Sequence, residues 1–209
     1  MRVRSNPLAL AVLACLYEKP MHPYEVAQTL RERAKHESVR LNYGSLYSVV
    51  ESLERRHLIV AQETVREGRR PERTVYAITD AGAREFVDWL SELVAEPVKE
   101  YPQFEAALSF LAALPPDDAL ELLRTRVNRL ELSVAQHHAA LQRVQEFGLP
   151  RVFEIETEYH LRLVQAELEW VRAFVKEIET GTLDGLAMWQ GFHDGTVPAD
   201  FKWTPHQPD

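Results

Sequence analysis

The spacing of hydrophobic residues changes character twice in the first ninety positions. An apolar run over 8–16 follows Asn6-Pro7, a capping residue and then proline at the first helical position, and it ends near Glu18-Lys19-Pro20. From Pro23, the residues Tyr24, Val26, Ala27 and Leu30 recur at helical spacing before a charged end at 31–35. Asn42 then caps a third helix. Its inward positions are Leu46, Val49, Val50 and Leu53; its outward ones are Tyr43, Ser45, Tyr47, Ser48, Glu51, Ser52 and Arg55. Next the pattern turns extended. Residues 58–65 and 73–78 read as paired strands, joined by a glycine-containing loop at 66–72 that carries three arginines. Thr79 caps a fourth helix with Phe86, Trp89, Leu90 and Leu93 on its inner face, closed by Pro97. Helix, helix, helix, strand, wing, strand, helix is the order of a winged helix-turn-helix.

Beyond residue 97 the pattern is helical throughout. A short segment over 104–114 ends at Pro115-Pro116, and Asp117-Asp118 place acids where the helix dipole favours them. The stripe Leu120, Leu123, Val127, Leu130, Val134, Leu141 and Val144 predicts a long helix that stops at Gly148. A second long helix is expected over 151–180, ending at Gly181. The fold class is therefore mainly α: a winged helix-turn-helix domain at 1–97, an all-helical domain at 98–190 and an irregular tail at 191–209.

Composition changes this picture little, but the distribution of charge does. Hydrophobic residues make up 45% and charged residues 27% of the 209, which is ordinary for a globular chain. The net charge of −8 argues against a nucleic-acid partner until it is divided. Residues 1–90 hold 14 basic and 12 acidic side chains, whereas 91–209 hold 10 and 20. A near-neutral head on an acidic body suits a head that meets phosphate. The lone Cys15 allows no internal disulfide and fits the reducing cytoplasm. Arg2 and Arg4 before the apolar run resemble a secretion signal, with Cys15 at a lipoprotein-like processing position. Against that, only seven apolar residues separate Pro7 from Cys15, and the first helix needs the same run. No stretch reaches the roughly 18 apolar residues of a membrane span.

The third helix and the wing carry the candidate chemistry. A recognition helix needs a slim end and outward polar groups to meet a duplex. Asn42, Tyr43, Gly44, Ser45, Tyr47 and Ser48 provide these, and Arg69, Arg70 and Arg73 suit a phosphate backbone or the adjacent minor groove. Several segments, in this order, resemble the PadR family of regulators: 10–16 with Pro20-Met21-His22-Pro23-Tyr24-Glu25, Tyr43-Gly44-Ser45-Leu46-Tyr47, residues 53–59, Gly68-Arg69-Arg70, and residues 76–82. The resemblance covers about 7–90 and implies DNA contact by Tyr43, Gly44, Ser45, Tyr47, Arg69 and Arg70. It also implies a homodimer on a palindromic site, usually acting as a repressor, and it includes regulators that respond to phenolic acids and toxic compounds. The sequence departs from the family at Pro23, where glycine is usual, and at Tyr43 and Ser48, where proline is usual. Glu51 stands where the family often has a basic residue. These departures bear on affinity and operator sequence more than on fold.

The 151–180 helix has more apolar residues than one stripe holds. Val152, Ile155, Tyr159, Val164, Leu168, Val171, Val175 and Ile178 form one face, and Phe153, Leu161, Leu163, Trp170 and Phe174 extend onto others. A helix apolar round much of its circumference is covered on several sides, so homodimerisation through this helix is expected. Trp89, Phe104 and Trp170 are candidates for a small aromatic effector pocket, with core packing as the alternative. Metal binding and catalysis are not expected. His137 and His138 are adjacent and point apart on a helix, and no phosphate loop, nucleophile triad or CxxC is present. The expectation is a cofactor-free, dimeric, sequence-specific DNA-binding regulator, a repressor released by a small molecule. A winged-helix protein-interaction module that no longer reads DNA is the alternative.

Overall fold

The computed structural model describes residues 6–35, 38–65 and 73–196, with only the backbone course given at 63–65 and 73. Two compact units divide the chain between Glu100 and Tyr101.

The first unit contains α1 (Pro7–Glu18), α2 (Pro23–Glu32), α3 (Tyr43–Arg55), β1 (Ile59–Val65), β2 (Arg73–Ile78) and α4 (Asp80–Ala95). Each expected cap forms. Asn6 Oδ1 accepts from the Leu8 N–H at 3.1 Å, and Thr79 Oγ1 accepts from the Gly82 N–H at 3.0 Å. His22, not singled out from the sequence, closes a capping box on α2: its Nδ1 accepts from the Tyr24 N–H while its own N–H donates to Glu25. The apolar α1 lies at the centre, against α2, α3, α4 and β2. Leu13, Met21, Val26, Leu46, Leu53, Ile59 and Trp89 are the main buried side chains around it. Cys15 is buried there too, and burial pushes its thiol pKa up to about 11.

Strands β1 and β2 pair antiparallel from Ile59↔Ile78 to Val65↔Arg73, with a register shift between Ala61 and Glu63. Met21 adds a bridge the sequence pattern did not reveal, exchanging two backbone hydrogen bonds of 3.0 Å with Tyr76. The wing is thereby anchored to the turn between α1 and α2. Where α4 begins, Gly82 meets the turn between α3 and β1 so closely that a Cβ would lie 1.9 Å from the Leu58 carbonyl oxygen. Only glycine fits this joint.

The second unit contains α5 (Gln103–Leu108), a 3-10 turn (Leu111–Ala113), α6 (Pro116–Glu146), a 3-10 turn (Arg151–Phe153), α7 (Ile155–Thr180) and α8 (Leu186–Asp194). Helices α6 and α7 pack along each other as an antiparallel hairpin. Ala119, Leu123, Val171, Val175, Ile178 and Trp189 form the core at one end. Ion pairs Arg124–Glu179, Arg126–Glu167 and Arg172–Glu131 tie the flanks of the hairpin. Gly181 ends α7 at φ +70°, a left-handed position that suits glycine.

Three expectations change. Leu90 and Leu93 do not join the inner face of α4; both are more than two-fifths exposed, and Trp89 with Phe86 makes the contact to the core. The second long helix begins at Ile155, because Glu154 at φ −126° and ψ 0° separates it from the preceding 3-10 turn. The expected tail starts as helix: 191–194 belong to α8, whose buried Trp189 donates from Nε1 to the Leu114 carbonyl at 2.8 Å. Residues 197–209 lie outside the described residues.

Candidate nucleic-acid interface

The inward residues Leu46, Val49, Val50 and Leu53 bury one side of α3 and so fix its opposite side outward. Tyr43, Gly44, Ser45, Tyr47, Ser48, Glu51 and Arg55 are exposed along that outer surface. Asn42 Oδ1 accepts from the Gly44 N–H at 2.9 Å, capping the end that would enter a groove. Ser48 Oγ donates to the Gly44 carbonyl at 3.1 Å, which uses its one proton and leaves lone pairs outward. The Arg55 Nε donates to the Glu51 carbonyl. Glu51 and Glu54, together with burial as the larger cause, hold the Tyr76 phenol above the ordinary tyrosine range.

Gly44 has a further property. A Cβ built on it would touch only Asn42 Oδ1, at 3.5 Å, which is an ordinary contact. Unlike Gly82, this glycine is not required by packing against any of the described residues.

One residue of the surface was missed from the sequence. Arg31, in the last turn of α2, donates from Nη1 to the Tyr43 hydroxyl, and its guanidinium lies 4.6 Å from the centre of the Tyr43 ring. It thus fixes the first side chain of α3 and adds a cation beside it. The twelve-residue separation hid the contact; the clustered charges at 31–35 were the available signal. Arg69 and Arg70 lie outside the described residues, as does the side chain of Arg73. Strands β1 and β2 flank that stretch in the sequence.

Elsewhere the structure divides the other candidate sets. Val164, Leu168, Val171, Val175 and Ile178 are buried within the single chain, whereas Val152, Ile155 and Tyr159 are more than half exposed. The exposed apolar stripe of α7 instead runs Ile155, Tyr159, Leu163, Trp170. Trp89 belongs to the core of the first unit, whereas Phe104 and Trp170 belong to the second unit. Those two do meet, edge to face at 6.3 Å, and Trp170 stacks on Phe174 at 5.2 Å. The Arg126 guanidinium lies 3.5 Å from the Phe104 ring centre while its Nε donates to Glu167 at 2.6 Å.

A three-helix core with an outward third helix and a two-stranded wing is a winged helix-turn-helix. Residues 12–88 match the transcriptional regulator PadR-like family, so the first unit carries a PadR-like domain. The chain is 21% identical over 181 residues to the negative transcriptional regulator PadR of Bacillus subtilis, covering 83% of this chain and 94% of that one. Two solved structures of Bacillus subtilis PadR share the fold. The complex with operator DNA has a TM-score of 0.67 at 18% identity, covering 83% of this chain and 99% of that one. The complex with p-coumaric acid has a TM-score of 0.67 at 16% identity, covering 82% and 98%.

Proposed function

We propose that the chain is a homodimeric, sequence-specific DNA-binding repressor, cytoplasmic, released from a palindromic operator by a small aromatic effector. Gly44 carries the reading. It stands at the exposed start of α3, and no packing among the described residues requires a glycine there. A glycine there serves something that approaches from outside, and a duplex whose phosphates meet the free N–H groups of a helix start is such a partner. Tyr43, Ser45, Tyr47 and Ser48 surround it, and Arg69, Arg70 and Arg73 stand on the wing. The relative bound to operator DNA supports the same assignment.

Gly44→Leu tests this directly. The variant is expected to fold with an unchanged melting temperature and to bind duplex DNA at least ~10-fold more weakly, the loss of a single good contact. Wild-type affinity in fluorescence anisotropy would remove the main support for α3 as the reader.

Dimerisation is supported by the exposed stripe Ile155, Tyr159, Leu163 and Trp170 on α7, which a second copy would cover. For the effector, the ring cluster Phe104, Trp170 and Phe174 with Arg126 suits a planar ring that bears an acid group, and the relative bound to p-coumaric acid supports that class. Glu51 favours the second reading, a winged helix that binds protein, because an exposed acid on α3 repels phosphate unless it accepts from a cytosine amino group.

A further inference from the structure

The facing seams of α6 and α7 are mostly apolar but are broken by half-buried polar groups, the Arg126–Glu167 pair among them and, nearer the turn, His137. On α6 the stripe passes from Val134 to Leu141, and His137 stands half-buried in the gap. His160 of α7 lies opposite, with ring centres 4.8 Å apart and planes inclined by 44°. A polar ring in such a seam is unfavourable unless it is hydrogen-bonded. His137 meets that need through its own helix: Nδ1 is 2.7 Å from the Ser133 carbonyl oxygen. A carbonyl only accepts, so Nδ1 carries the proton and Nε2 of the neutral ring keeps its lone pair. An imidazole whose second nitrogen donates to a backbone carbonyl is held as metal-binding histidines are held. Two imidazoles on one ion, with metal–nitrogen bonds of about 2.0–2.1 Å, stand roughly 5 Å apart centre to centre. The observed separation falls at that value. His138, next in sequence, contacts a different partner, its Nε2 lying 3.2 Å from Gln165 Nε2.

The geometry points to a two-histidine site, His137 and His160, for a borderline divalent transition metal such as zinc, nickel or copper, with water completing the coordination. Imidazole suits these ions, whereas calcium and magnesium take oxygen ligands. No group of three or more His, Cys, Asp or Glu that could hold a metal ion occurs among the described residues, so the protein would contribute two ligands. An ion there would tie α6 to α7 toward the turn end of the hairpin, beside the stripe exposed on α7. The site does not depend on DNA reading and is tested apart from it.

The full chain is titrated with copper(II) followed by electron paramagnetic resonance, and with zinc followed by calorimetry. One ion per chain is expected, with hyperfine coupling to two imidazole nitrogens. The chain holds eight histidines, so variants must locate the site. His160 is exposed, and His160→Ala is expected to keep the circular-dichroism spectrum and to bind at least ~10-fold more weakly. His138→Ala is expected to bind as wild type. Absence of binding, coupling to a single nitrogen, an unaffected His160→Ala, or an equal loss in His138→Ala each overturns the assignment.

Discussion

Gly82 and Gly44 show how the same residue type serves opposite ends. At Gly82 the requirement is internal: besides the Leu58 carbonyl oxygen at 1.9 Å, a Cβ would meet Ile78 Cγ1 at 2.9 Å. Backbone cannot yield as a flexible side chain can. Gly82→Ala is therefore expected to lower stability by about 3 kcal/mol or more, read as a reduced urea midpoint. A loss below about 1 kcal/mol would mean that α4 shifts freely on the wing. A second prediction at this scale concerns Glu18, which receives Arg33 Nη2 at 2.7 Å between α1 and the end of α2. That hydrogen bond holds the Glu18 carboxyl below the usual carboxylate range. A depressed folded-state pKa contributes stability above the unfolded value, and the contribution disappears as pH falls through the folded value. Both side chains are about half exposed, so the effect is under ~1 kcal/mol. Glu18→Gln should lower stability slightly at neutral pH and match wild type under strongly acidic conditions. A difference that persists in acid would place the effect outside the ion pair.

The elements were legible where one helix or strand determines its own pattern. Asn6, Asn42 and Thr79 are capping residues, and each accepts the hydrogen bond its position predicts. The inner face of α3 follows from spacing alone. What stayed hidden depends on contacts between segments distant in sequence: Arg31 with Tyr43, Met21 with Tyr76, and His137 with His160. For α7, the sequence recorded an excess of apolar residues without saying which of them α6 would cover. The structure buries Val164, Leu168 and Val171 and leaves Ile155, Tyr159, Leu163 and Trp170 outward. The dimer prediction moves with them. The double variant Ile155→Glu, Leu163→Glu is expected to be monomeric by sedimentation at micromolar concentration, with unchanged helix content, because each acid would be desolvated in a two-fold contact. A dimer mass in that variant would place the interface elsewhere. For Leu90 and Leu93 of α4, amphipathic spacing matched a core-facing stripe, yet the core of the first unit is already filled by Trp89 and Phe86 at that end.

At the scale of the molecule, the charge division gives each unit a part in recognition. The second unit is acidic and would repel phosphate, so the proposed DNA contact falls to the near-neutral winged helix. The wing is where that confinement is most sharply tested. If Arg69 and Arg70 each neutralise a phosphate, replacing both by alanine should flatten the dependence of log affinity on log salt by about two units per chain. A palindromic preference would follow from the proposed dimer, which would set two α3 helices into half-sites related by its axis. Selection of the full chain against a random pool of duplex DNA measures this most directly. Enrichment of a palindromic motif is expected, with weakened, salt-flattened binding in the Arg69→Ala, Arg70→Ala variant. A pool that enriches no motif, under conditions where the protein is folded, would contradict DNA reading by this winged helix.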